Sequence, residues 1–344
     1  MKKRIKKVSM QDIADRLNIS KNSVALALNN KKGVSEELKA KIIETAIQLG
    51  YGGIDRSLAK EKNLLLIIPE YLHEAFNFYH EIILGIERSA QKKNMRVFMA
   101  TLEKEKEKAL ELPSAYYGMH VDGIVLLGVF DRQYVEKISQ LNVPFITVDQ
   151  TYSGMKHNNV VTANMEGSSE VVRHLIEKGH ESIGFIGPIR STASNYERWL
   201  GYRKAMEEAN LAIDPRFCFT ESDSRSYVFS EIDAYISSLD AYPTAWFCAN
   251  DYMAFYLIDV LQRRGLAVPD DISVAGFDDI DASRFHNPKL TTFHVRRDWM
   301  SEATVELLAA SMKEEIFPRQ IRIYGELVER ESVKPLRDGV RMSV

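Results

Sequence analysis

Three short stretches near the start of the chain repeat apolar residues at helical spacing. Ile13, Ala14 and Leu17 form one stripe, Val24 and Leu28 a second, and Leu38, Ile42, Ile43, Ala46 and Leu49 a third. A serine precedes each stripe: Ser9, Ser20 and Ser35. Serine is a favoured N-cap because its hydroxyl accepts an otherwise unpaired amide of the first helical turn. Asp12 stands three residues after Ser9, which makes an aspartate form of the capping box. Asn18 and Ile19 form the short turn between the first two helices, so these helices must cross steeply, as in a helix-turn-helix unit. Gly50 stops the third. Three such helices share one small core and hold the second helix outward.

The pattern then changes. Residues 64–68 (LLLII) are apolar throughout, and a helix carrying Ile82, Ile83, Ile86 and Ala90 follows. Further apolar runs stand at 96–100, 122–128, 144–149, 182–187, 217–220, 245–249 and 272–277. Helices are predicted between them, including a charged one reaching about Leu112 and others at 197–210, 226–239 and 253–265. Runs apolar on both faces, alternating with helices, indicate parallel strands covered on both sides. The rhythm occurs twice, so the body reads as two Rossmann-like lobes. Strands at 290–295 and 320–324 flank only one helix and are expected to return the chain to the first lobe.

Charge divides the chain at the same place. The 344 residues carry 45 Lys and Arg against 48 Asp and Glu, yet residues 1–60 hold 13 against 6. Lys2, Lys3, Arg4, Lys6 and Lys7 lead into the first helix. A positive head is steered toward phosphate backbones while an acidic body is repelled. The exposed start of the second helix offers Ser20, Lys21, Asn22 and Ser23. Lysine suits guanine acceptors in the major groove, and asparagine can pair bidentately with adenine. Asn29, Lys31 and Lys32 are better placed for phosphates, which position a protein without selecting sequence.

Cys218 and Cys248 lie in apolar surroundings without metal-ligand spacing and are expected to be free thiols. No early apolar run resembles a signal peptide and no 18-residue apolar run exists, so a cytoplasmic protein without membrane attachment is expected.

In open α/β sheets ligands sit beyond the carboxyl ends of the strands. Asp149, Asn250, Asp251, Asp278 and Asp279 fall there, and Arg198 begins a helix after the strand ending at Gly187. Carboxylates and amides exchange hydrogen bonds with vicinal hydroxyls, and arginine clamps oxygens. Phe76, Phe78, Tyr79, Tyr227 and Trp246 offer faces on which a sugar ring can stack. For several of these a structural role stands beside the binding one. Trp246 is either core or cleft, Asp278 and Asp279 either cap a helix or meet ligand, and Asp149 either ends a strand or binds.

Residues 8–51, with DIA, IS, SV, LN, VS and LGY in order, resemble the head of the LacI/GalR family of bacterial transcription regulators. VDGIVLLG, HLIEKGHESIGFIG, GYRKAM, AWFCANDYMA, VPDDISVAGFDD, LTTF and ERES extend the resemblance over the body. The resemblance implies a helix-turn-helix DNA-binding domain at 1–50, a hinge or linker at 51–62, and a periplasmic-binding-protein-like α/β body for effector binding and dimerisation at 63–344. It implies three crossovers between lobe one, about 63–162 plus 292–323, and lobe two, about 163–291 plus 324–344. It places Lys21 and Asn22 at the main specificity positions, and Asp149, Arg198, Asn250 and Asp278 at effector positions, with Phe76–Tyr79 beside the pocket.

Three departures matter. Ala25 and Leu26 replace a usual Ser-Arg pair. The segment YGGIDRSLAKEKN lacks the family's Arg-Pro-Asn and adds Gly52 and Gly53, so it reads either as a short DNA-ordered helix with Arg56 and Leu58 at the minor groove or as a flexible linker. His294 and Arg296 follow the TTF strand where a Gln is common, a hint of an acidic or phosphorylated sugar.

No GxGxxG follows the first strand, no P-loop or HExxH occurs, and no nucleophile elbow is present. The expected function is therefore a sequence-specific regulator, by family default a repressor, with a carbohydrate-type effector and no cofactor or metal. The alternative is a small-molecule-binding protein whose DNA specificity has degenerated. A palindromic operator asks for a homodimer. Helices near 72–90 and 298–314 are its expected interface, and a zipper-less C-terminus after Pro335 favours dimer over tetramer.

Overall fold

The computed structural model describes residues 8–51, 61–73, 76–222, 229–314 and 316–336. Arg56, Leu58 and Tyr227 lie outside them, as does most of the expected hinge. Phe76 opens a helix, but its side chain is likewise outside the description.

Helices α1 (Met10–Leu17), α2 (Lys21–Leu28) and α3 (Glu36–Leu49) form the head. The capping box is present: the Ser9 hydroxyl accepts from the Asp12 amide, and Asp12 accepts from the Ser9 amide at 2.7 Å. Ser20 caps α2 and Ser35 caps α3. Ile13, Ala14, Val24, Ala27, Leu28, Ile42 and Ala46 are buried together as the head's core. Asn18 and Gly50 end α1 and α3 in the left-handed conformation, at φ 54° and 75°.

In the body, β1 (Lys62–Pro69), α4 (Phe76–Lys92), β2 (Met95–Leu102), α5 (Lys104–Lys108), α6 (Ser114–Gly118), β3 (Gly123–Leu127), α7 (Arg132–Ser139), β4 (Phe145–Val148) and β5 (Asn158–Thr162) build the first lobe. The second contains α8 (Asn164–Glu177), β6 (Ile183–Ile186), α9 (Ala193–Glu208), β7 (Cys218–Phe219), α10 (Phe229–Ser237), β8 (Ala245–Cys248), α11 (Asp251–Arg263), β9 (Ser273–Asp278) and β10 (Thr291–His294). Helix α12 (Arg297–Ser311) and β11 (Gln320–Ile323) return to the first lobe, and β12 (Glu326–Val328) to the second.

Among the described residues each lobe holds a six-stranded sheet. The first runs β11-β5-β4-β3-β1-β2, parallel throughout. The second runs β12-β10-β9-β8-β6-β7, with only β10 and β12 antiparallel. LLLII is buried on both faces because β1 is central, between β2 and β3.

Thr291–His294 pairs with β9 in the second sheet. The second crossing therefore falls at 295–296, not at 292 as the resemblance implied. The three crossovers run side by side: the Ala163 amide donates to the Ile323 carbonyl at 2.9 Å, and Gly325 lies against the His294 carbonyl so closely that a Cβ there would clash.

The apolar faces expected to pair two bodies are largely used within the chain. Helix α12 packs on α4, with Gly85 against Ser301, whose hydroxyl reaches the Ile82 carbonyl at 3.1 Å. Of the predicted charged helix to Leu112 only the five-residue α5 forms; Leu110 takes a left-handed turn at φ 58° after it, and the short α6 starts beyond, at Ser114.

Candidate functional site

On the head, packing of Val24, Ala27 and Leu28 turns the opposite face of α2 to solvent. Lys21 and Asn22 are exposed there, next to the Ser20 cap, which accepts the Ser23 amide at 3.0 Å and has the Ser23 hydroxyl at 2.8 Å. Ser20 and Ser23 thus also hold the start of the helix. Asn29 ends α2, is exposed, and donates its side-chain amide to the Ala25 carbonyl at 2.8 Å; Lys31 is exposed just beyond. Leu26, at the place of a family arginine, contacts the backbone near Gly33 instead of presenting a cation.

Between the lobes a second cluster converges. From the first lobe, the Tyr79 hydroxyl donates to Oδ2 of Asp149 at 2.7 Å. Asp149 follows β4 in a left-handed conformation, φ 67°, and its Oδ1 is buried without a partner among the described residues. Burial raises its carboxyl to about 6; the Tyr79 hydrogen bond and Arg198 oppose that rise, and Asp278 adds to it. Burial likewise pushes the Tyr79 phenol well up.

From the second lobe, Arg198 on α9 is 4% exposed. Its Nε donates to Asn164 Oδ1 at 2.9 Å, Nη1 to the Ala249 carbonyl at 2.5 Å, and Nη2 lies 3.0 Å from Asp278 Oδ1. The guanidinium rests 3.9 Å from the Phe277 ring centroid. Burial raises the Asp278 carboxyl, against the pull of Arg198 and Arg297. Small residues admit the helix that carries Arg198: a Cβ at Gly201 would meet the Met165 carbonyl of α8.

Asp278 and Asp279 both have positive φ, 116° and 50°. These are rarely populated conformations for side-chain-bearing residues. Arg297, at the start of α12, holds the turn: Nη1 donates to the Asp278 carbonyl at 2.6 Å and Nη2 to the Asp279 carbonyl at 3.1 Å, while Nε reaches Glu81 of α4 at 2.8 Å. Its guanidinium carbon lies 5.6 Å from the ring centroid of buried Phe78. Arg297, Glu81 and Asn164 were missed from sequence. No local signal marks them: Arg297 stands between Arg296 and Asp298, Glu81 follows His80, and Asn164 is two residues before Glu166.

Other candidates resolve differently. Trp246 is fully buried and donates to the Phe217 carbonyl at 3.3 Å, so it belongs to the second lobe's core and not to a cleft wall. Asn250 caps α11, its Oδ1 accepting the Met253 amide at 2.9 Å, so one of its polar atoms is committed. Asp251 turns inward, accepting from Ile280 N, Ser283 Oγ and Thr292 Oγ1 at 2.9, 2.7 and 2.5 Å; burial raises its carboxyl to about 7. Asp279 caps no helix: it binds His294 at 2.9 Å and Arg330 at 2.5 Å. Arg296 pairs with Asp298 at 3.0 Å and stacks on Trp299.

Two family profiles match separate parts of the chain. The family profile "Bacterial regulatory proteins, lacI family" matches residues 9–52, and a "Periplasmic binding protein-like domain" matches 172–333. The transcriptional repressor PurR of Actinobacillus pleuropneumoniae serotype 3 is 29% identical over 336 residues, covering 95% of this chain and 99% of that protein. The structure of a CelR–cellobiose complex superposes with a TM-score of 0.70 at 22% identity, over 95% of this chain and all of the other. That of the lac repressor dimer bound to operator and the anti-inducer ONPF gives 0.69 at 22% identity, over 96% and all. A helix-turn-helix head, a two-lobed periplasmic-binding-protein-like body and these matches together make the chain a member of the LacI/GalR family, a DNA-binding transcription regulator and not an enzyme.

Proposed function

We propose that the chain is a cytoplasmic repressor that binds a palindromic operator as a homodimer and is controlled by a small carbohydrate-type effector between the lobes of the body. The division into a head at 1–50, a hinge at 51–62 and a body at 63–344 belongs to the same reading. The observation that carries it is the meeting of Tyr79 and Asp149 from one lobe with Arg198 and Asp278 from the other. Polar groups from two sheets that face one cleft change their separation when the lobes close, so a ligand bridging them biases one closure state. The similar structures with cellobiose and with an operator-bound dimer support the ligand class and the assembly.

In this reading Lys21, Asn22 and Ser23, beside the Ser20 cap, meet base edges, Asn29 and Lys31 meet phosphates, and Arg56 and Leu58 serve the hinge. Asp149, Arg198, Asp278 and Asn250 line the effector site with Phe78 and Tyr79 and, at the helix start, Phe76. Cleft binding and operator affinity are then thermodynamically linked, and the linkage is reciprocal. Calorimetry of a sugar panel with and without selected operator DNA tests this. A ligand whose affinity changes on operator binding supports the proposal; a ligand bound with equal affinity in both states removes control by the cleft.

A further inference from the structure

Among the described residues, the buried cations of the cleft region already face an anion or carbonyl. The three nitrogens of Arg198 meet Asn164, the Ala249 carbonyl and Asp278, and its face lies on Phe277. Those of Arg297 meet Glu81 and the carbonyls of Asp278 and Asp279. His294 is bound to Asp279 and Arg296 to Asp298, so the two residues that hinted at an acidic ligand have carboxylate partners within the chain. Arg190, beyond β6, lies 3.8 Å from Glu221, and Arg322 reaches Glu166 and Glu197.

The acceptors are less committed. Asp149 has one oxygen bound to Tyr79 and the other buried without a partner. With Asp278 opposite, the cluster Glu81, Asp149, Asp278, Arg198 and Arg297 holds more carboxylate than guanidinium.

We infer that the cleft takes a ligand that offers hydrogen-bond donors and carries no net negative charge: a neutral polyhydroxylated or amino-substituted small molecule, and not a carboxylated or phosphorylated one. The inference rests on the cleft being the effector site. An anion there would be desolvated beside two carboxylates, with no uncommitted buried cation among the described residues to offset the loss. A hydroxyl or ammonium instead satisfies the open Asp149 oxygen and exchanges a water hydrogen bond for a charge-assisted one. Burial, which lifts the Asp149 carboxyl to about 6, leaves it mostly ionised at neutral pH and therefore an acceptor.

The test is a matched panel on the full chain at pH 7.5, by thermal shift and then calorimetry. It contains glucose, galactose, ribose and cellobiose, glucosamine, glucuronate and galacturonate, and glucose 6-phosphate and ribose 5-phosphate. The expected result is binding by a neutral or amino member at least about tenfold tighter than by its acidic or phosphorylated counterpart, weakened at least about tenfold by Asp149→Asn. Asparagine keeps the volume and an acceptor for Tyr79, so the variant should fold, and Tyr79→Phe serves as a second cleft variant. Tighter binding of a uronate or phosphate that Asp149→Asn or Tyr79→Phe alters would overturn the charge inference and leave the cleft as the effector site. No binding by any member, or binding unchanged in both variants, would overturn the cleft reading together with the inference.

Discussion

Arg198 and Asp278 form a buried ion pair at 3.0 Å, with the arginine 4% exposed and carrying a partner on every nitrogen. Removal of one member of such a pair strands the other charge in a low-dielectric setting. Arg198→Ala should therefore lower stability by about 3–5 kcal/mol, in addition to any loss of effector affinity. Denaturant unfolding checks this, and an unchanged midpoint would show that the pair is solvated.

Arg297→Met keeps much of the side-chain volume but releases the Asp278 and Asp279 carbonyls from a turn with φ of 116° and 50°. The turn should relax, and two carbonyls lose charged donors, for a loss of about 2–4 kcal/mol. Arg297→Lys should recover only part, because an ammonium cannot span both carbonyls and Glu81 as a planar fork does. Equal unfolding midpoints for the two variants would contradict the forked role.

Asp149 couples stability to pH. Its carboxyl rises from the ordinary 3.8 to about 6, chiefly through burial. Below roughly pH 4 folded and unfolded chains both hold the proton. Between that point and about pH 6 the folded chain keeps it while the unfolded chain releases it, so stability falls as pH rises, by about 3 kcal/mol at most. Asp251, raised to about 7, acts in the same direction. Asp149→Asn should flatten the stability profile between pH 4 and 6 without abolishing it. An unaltered slope would mean that Asp149 is hydrated.

Gly201→Ala should separate α8 from α9, because the new Cβ meets the Met165 carbonyl, a backbone atom that cannot rotate away. A loss of about 1–3 kcal/mol is expected by thermal or denaturant unfolding. Wild-type stability would show that the helices slide apart freely.

Lys21→Ala and Asn22→Ala remove exposed side chains and should leave folding unchanged. Each should cost about 1–3 kcal/mol of discrimination between operator and random DNA. Equal losses on both DNAs, measured by titration at fixed salt, would assign the two residues to phosphate contact.

The head was readable because its signals are local: a serine cap, a left-handed stop and a helical stripe each lie within one turn of what they specify. The buried parallel strands were readable as apolar runs. Less legible were β5, with polar Asn158 and Asn159; α8, whose Gly167, Ser168 and Ser169 are small to admit neighbouring side chains and α9; and three-residue β12. These depend on partners distant in the chain, which no local pattern encodes. Trp246 shows the same limit: an apolar run reveals burial but not which face meets a ligand. Arg297 was illegible because its carbonyl partners lie 18 and 19 positions away and Glu81 216 away.

A dimeric regulator that reads sequence through its head selects a two-fold site. Selection of genomic fragments by the purified full chain, followed by quantitative binding at two salt concentrations, measures this directly. The expected result is an enriched palindrome whose advantage over random DNA persists at the higher salt and falls in Lys21→Ala. Salt-sensitive binding without an enriched sequence would contradict it and favour a ligand-binding protein with a degenerate head.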